Sequence, residues 1–141
     1  MANTKVTVEQ AIAEGEEIVS RHPGYSMEDR VGPNNYDCSG FMGVIWEVPG
    51  APPTASMVAE YPKYGFEHYY FGQVALKKGD ILVHPTVAGR IGHTAMVYDS
   101  NISQLIESWG HHGPGIRGIW GLDSYWQHIL RGSGGLYIDK W

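Results

Sequence analysis

A single cysteine, Cys38, stands among 141 residues. With no second thiol, the chain can build neither an internal disulfide framework nor a multi-cysteine zinc site. No run of about 18 apolar residues occurs, which excludes a helix long enough to cross a bilayer. The opening, Met1 to Gln10, lacks the basic-then-apolar pattern of a secretory signal, so export by that route is not expected. Basic residues are also short: 10 Lys and Arg against 15 Asp and Glu give a formal net charge of −5. That balance argues against a nucleic-acid module, whose footprint is a basic patch. Leucine is scarce. What the chain does hold is a 43% hydrophobic fraction, too high for a disordered tail, and a length that suits one domain with one core. Its 19 glycines and 8 prolines foretell many turns and short strands, and its 9 tyrosines and 5 tryptophans often mark a surface that grips sugar or peptide.

The first half reads as helical. Thr7 and Gln10 fit a capping box, and Val8, Ala11, Ile12, Gly15, Ile18 and Val19 recur at helical spacing until His22, Pro23 and Gly24 stop them. Residues 24–36 read as a loop. A second helix is expected from Cys38, with Phe41, Val44, Ile45 and Val48 as its stripe, ended by Pro49 and Gly50. A short third helix runs from Thr54, as N-cap, to about Glu60. Beyond Pro62 the pattern changes to strands: Ile81–His84, Thr94–Tyr98, Gln104–Ser108 and roughly Trp126–Arg131. Residues 132–141 read as a terminal strand or the start of a linker. Helices first and strands after point to an α+β domain around an antiparallel sheet. No internal repeat is visible.

Cys38 lies where a Gly/Asn loop turns into the second helix. Unsatisfied N–H groups and the positive end of the dipole favour a thiolate there. Asp37 is the natural N-cap, and Gly40 lets other backbone come close. Position alone leaves two readings open, a nucleophile or a buried structural cysteine.

A nucleophile needs a base. Among seven histidines, His93 begins a strand directly after a glycine, held by the sheet yet open to a cleft. If Tyr98 faces Ile102 across the next turn, His93 faces Glu107; a slip of two makes them diagonal neighbours on one face, roughly 5–8 Å apart at Cβ. Glu107 then orients the imidazole, completing a nucleophile–base–orienter arrangement. An odd slip would part them. His111 and His112 sit in a Gly/Pro turn and read as exposed, whereas His84 closes a strand and is a candidate to line the cleft. Tyr61, Tyr64, Tyr69, Tyr70, Trp109, Trp120 and Trp126 include candidates for a substrate groove, against the alternative that each is core.

Three stretches, Asp37–Phe41, Leu76–Ile81 and Gly92–Val97, resemble the papain-like cell-wall cysteine peptidases of the NlpC type and their phage relatives, the CHAP lysins and peptidoglycan amidases or endopeptidases. The stretch from Tyr25 to Cys38 looks most like the phage enzymes. The resemblance implies a papain-like (NlpC/CHAP-like) fold and one catalytic domain over residues 1–141. It implies Cys38 as nucleophile and His93 as base. Glu107 falls at the third position, where histidine is commoner. It further implies Tyr25 near the nucleophile, Ser39 in contact with substrate, no metal or organic cofactor, and acyl transfer from an amide in the peptide stem of bacterial peptidoglycan. Trp109 and His84 join Ser39 as candidates for substrate binding. A phage lysin or tail enzyme, released from the host cytoplasm or carried by the virion, is the expected setting. A separate wall-binding domain would offset the discord between a negative chain and an anionic wall. Neither nucleic acid nor membrane insertion is expected. Two rivals remain: a metal-dependent amidase using His84, His93, His111 or His112, which lacks a ligand motif, and a non-catalytic wall-binding module. Whether the cleaved bond is the muramoyl–L-alanine amide, the γ-D-glutamyl bond within the stem or a cross-bridge is open.

Overall fold

A computed structural model describes residues 6–70, 77–84, 92–99, 104–118 and 135–139. Helix α1 spans Val8–Ser20 with the expected capping box in full: the Thr7 hydroxyl accepts from the Gln10 N–H and the Gln10 side chain accepts from the Thr7 N–H. Helix α2 spans Cys38–Ile45 and α3 spans Thr54–Glu60. The N-cap of α3 is Pro53, not Thr54, which sits inside the first turn and is buried. A 3₁₀ turn, Tyr61–Tyr64, follows it.

Among the described residues six strands form one sheet in the order β1-β6-β2-β3-β4-β5, each antiparallel to its neighbours. They are β1 (Phe66–Tyr70), β2 (Ile81–His84), β3 (His93–Asp99), β4 (Gln104–Trp109), β5 (Gly113–Gly118) and β6 (Gly135–Asp139). The terminal segment is therefore a strand, inserted between β1 and β2. The strand expected near Trp126–Arg131 lies outside the described residues. Two strands were not expected. β5 was read as part of a turn because it opens Gly-Pro-Gly, but it sits at the sheet edge, where proline breaks no second ladder. β1 depends on β6, a partner some 70 residues away, so nothing local announces it.

The core forms where α1 and α2 meet the sheet. Ile12 and Ile18 of α1, Phe41, Met42 and Ile45 of α2, and Ile81, Val83, Met96 and Ile106 from the strands belong to one buried cluster. Each such side chain contributes about 1.5–3 kcal/mol by leaving water. Gly15 lets α1 approach closely: a Cβ there would come within 2.9 Å of the Ile106 Cδ1. Trp46 and Tyr61 pack on Phe66 at ring separations of 5.1 and 5.2 Å. Tyr61 is fully buried, so it is core and not groove. The result places α2 against β3 and β4.

Candidate active site

Asp37 and Arg30 define the start of α2. The Asp37 carboxylate accepts from the Gly40 N–H at 2.6 Å, the expected N-cap bond, an interaction worth about 1 kcal/mol. Its other oxygen receives the Arg30 Nε at 3.0 Å, while the Arg30 Nη2 donates to Ser39 Oγ and to the Ala51 carbonyl, both at 2.8 Å. The Arg30 carbonyl accepts from the Asp37 N–H and lies against Gly40, so any side chain at Gly40 would collide with it. One arginine thus ties the 21–37 loop, the helix start and the Ala51 loop together. Ser39, expected to touch substrate, is 3% exposed with its hydroxyl bonded to Arg30 and to Asp37. Its side chain braces the helix start.

Strand β4 is lashed to the same place, because Ser108 Oγ donates to the Tyr36 carbonyl at 2.7 Å. The β3–β4 ladder pairs Met96 with Ile106 and Val97 with Leu105. This is the register slipped by two, with His93 and Glu107 diagonal on one face. They meet: His93 Nε2 lies 2.8 Å from Glu107 Oε1. The same imidazole interacts with the Cys38 side chain, which helps raise its pKa. With Nε2 engaged by Glu107, Nδ1 is the nitrogen left for the thiol.

Burial alone would lower the pKa of His93. The hydrogen bonds to Cys38 and Glu107, and the negative charges of both, overcome burial and raise it to about 9. Burial acts on Glu107 in the opposite sense to its partners: desolvation raises its pKa, but His93 and then Arg117 hold it below the usual carboxylate value. Arg117 Nη2 reaches Glu107 Oε1 at 2.9 Å. Cys38 is 6% exposed, yet it is no thiol sealed in hydrocarbon, since His93 and Tyr25 both interact with it.

Tyr25 is pushed up to about 12, by burial first and then by the charges of Cys38 and Asp37, while a hydrogen bond from the Cys38 backbone and the Arg30 charge partly offset them. Its hydroxyl therefore sits at the helix start beside the Cys38 thiol. Trp109 is half-buried and held from within: its ring stacks on His112 at 4.0 Å and lies under the Arg117 guanidinium at 4.3 Å. His84 is buried at the end of β2, paired across the ladder with His93. His111 and His112 are exposed, as expected. Trp120 and Trp126 lie outside the described residues, as do the side chains of Tyr69 and Tyr70.

Two residues escaped the sequence reading, Arg30 and Arg117. A lone arginine seven residues before the cap aspartate is the available signal for Arg30; Arg117 has none, because the Gly-Pro-Gly opening of β5 has the composition of a turn. Among the described residues no group of three His, Cys, Asp or Glu side chains is placed to hold a metal ion, and no helix is long and apolar enough to cross a membrane. A pocket of about 520 Å³, lined by Val6, Gln10, Glu14, Val44, Ile45 and Glu47, lies at the opposite end of α2 from Cys38.

The arrangement is a thiol, an imidazole and a carboxylate in series, at a helix start that offers N–H donors. Such a set can carry out acyl transfer. No curated protein matches the sequence. Among solved structures, the NlpC/p60 domain of the peptidoglycan hydrolase SagA superposes with a TM-score of 0.55 at 17% identity, over 83% of this chain and 93% of that one. An NlpC/P60 family protein from Bacillus cereus gives 0.59 at 18% identity over 92% of this chain, and NlpC1 from Trichomonas vaginalis gives 0.54 at 18% over 86%. The chain spans only 39% and 42% of those two proteins. These likenesses fix the fold as NlpC/p60. The Amidase_5 family model, described as bacteriophage peptidoglycan hydrolase, matches residues 9–137. On that match the chain belongs to the bacteriophage peptidoglycan hydrolases.

Proposed function

We propose that the protein is a thiol hydrolase that cuts an amide bond in the peptide stem of peptidoglycan, acting as a phage lysin or tail-associated lytic domain. Cys38 is the nucleophile, His93 the proton carrier and Glu107 the residue that orients the imidazole. The observation that supports this reading is the His93 imidazole held 2.8 Å from Glu107 Oε1 while the Cys38 side chain helps raise its pKa.

The Cys38 thiolate attacks the amide carbonyl carbon, forming a C–S bond and placing negative charge on the oxygen. The Cys38 N–H at the helix start, and the Tyr25 hydroxyl beside it, are the donors for that charge. Collapse breaks the C–N bond as the His93 imidazolium protonates the departing amine. Water, deprotonated by His93, then attacks the thioester and releases the carboxylate and the thiol. Trp109 and His84 flank this centre as substrate-facing candidates. A wall-binding domain elsewhere would supply attraction that the net charge of −5 does not.

Digestion of purified walls, followed by mass spectrometry, tests the reaction and names the bond. New amino termini within the stem identify an endopeptidase; a freed N-terminal L-alanine with intact glycan identifies a muramoyl–L-alanine amidase. Prior treatment with iodoacetamide is expected to abolish release, and a chelator to leave it intact. Loss under chelator restored by zinc contradicts the thiol reading, as does wall binding without any released product.

A further inference from the structure

We propose that Arg117, braced on Trp109, is a positioning residue that fixes the Glu107 carboxylate on which His93 is oriented. The inference rests on the thiol reading above. In the β4–β5 ladder Glu107 faces Gly115 and Leu105 faces Arg117, so Arg117 and Glu107 are diagonal neighbours on one face. The Glu107 side chain is fully buried, and its Oε1 takes both the His93 Nε2 at 2.8 Å and the Arg117 Nη2 at 2.9 Å. Glu107 thus faces His93 from β3 and Arg117 from β5, with the Cys38 thiol of α2 beyond the imidazole.

Two features hold the guanidinium in place. Its Cζ lies 4.3 Å from the Trp109 ring centroid, a cation–π contact, and Trp109 is itself stacked on His112 at an interplanar angle of 9°. Gly115 makes the space: a Cβ there would stand 2.8 Å from the Trp109 ring and 2.6 Å from His112. The Gly115–Ile116–Arg117 run on an edge strand therefore serves the opposite residue, Glu107.

The chemical need follows from burial. A buried carboxylate lowers its desolvation cost by taking a proton. A protonated Glu107 keeps its carbonyl oxygen as an uncharged acceptor but gains an O–H donor, so the imidazole would lose a fixed acceptor and the negative charge that stabilises its cationic form. Arg117 cannot lose its proton in the working range. Its fixed charge keeps Glu107 ionised, consistent with the lowered carboxyl pKa.

The test measures kcat and KM against pH on a soluble muropeptide for Arg117→Gln and Arg117→Lys, alone and in a Glu107→Gln background. Arg117→Gln is expected to lower kcat by about 10- to 100-fold, the range seen when a partner of an active-site ligand is lost, with KM little changed. Its acid limb moves to higher pH, because Glu107 then keeps its proton longer. Arg117→Lys restores the limb. In the Glu107→Gln background, where a neutral amide needs no countercharge, Arg117→Gln adds little further loss. Equal losses in both backgrounds with an unmoved limb would overturn the proposal, and so would a rise confined to KM. If Arg117→Gln alone fails to fold, the Lys variant and the double variant decide, since neither leaves a lone buried charge. Activity in a Cys38→Ala protein would instead sink the thiol reading itself.

Discussion

Cys38→Ala lowers wall lysis by at least about 1,000-fold, the scale of loss when a covalent nucleophile is removed, while the thermal unfolding midpoint moves by a few degrees at most. Both halves of that expectation come from the site. The residue is 6% exposed and makes no disulfide, so to the fold it is a small apolar group at the first position of α2. The helix keeps its cap, because the Asp37 bond runs to the Gly40 N–H and not to residue 38. Turbidity clearance of purified walls, paired with a melting curve, reads the two effects separately. A Cys38→Ala protein that clears walls at the native rate contradicts the assignment.

His93→Gln is expected to be almost as damaging, by at least about 100-fold, and no worse when combined with Cys38→Ala, since residues that act as a unit are not additive. Glutamine is chosen because its amide can still donate to Glu107, whereas alanine would remove the His93 donor from that buried carboxylate. Intact folding with lost turnover then isolates proton transfer. The pH profile of the native protein carries the same information. Because the His93 pKa is raised to about 9, the imidazolium persists through neutral pH, and kcat/KM falls only as pH rises through about 9, when the acid that protonates the departing amine is lost. A histidine without these partners would give a limb near 6.5.

Much of this site was legible because the decisive signals were local. The Thr7–Gln10 box, the Asp37 cap and the thiol at a helix start need only neighbouring residues to be recognised. Residue parity placed His93 and Glu107 on one face under any even register, and the observed ladder is one of those. What escaped notice depended on distant partners. Gly113–Pro114–Gly115 has turn composition and becomes a strand only by pairing with β4 at the sheet edge, and with β5 went Arg117. Arg30 acts through Asp37, Ser39 and Ala51, contacts that span 21 residues and leave no periodic trace. The same contacts hold the Ser39 hydroxyl against Arg30 and Asp37.

The pairing of one sulfur with one imidazole carries the whole mechanism, and titration of the His93 ring signals by NMR tests it most directly, in the native protein and in Cys38→Ala. The expected result is a midpoint near 9 in the native protein that falls markedly once the sulfur is gone, because two of the influences that raise it come from Cys38. A His93 that titrates at the same pH in both proteins would contradict the pairing.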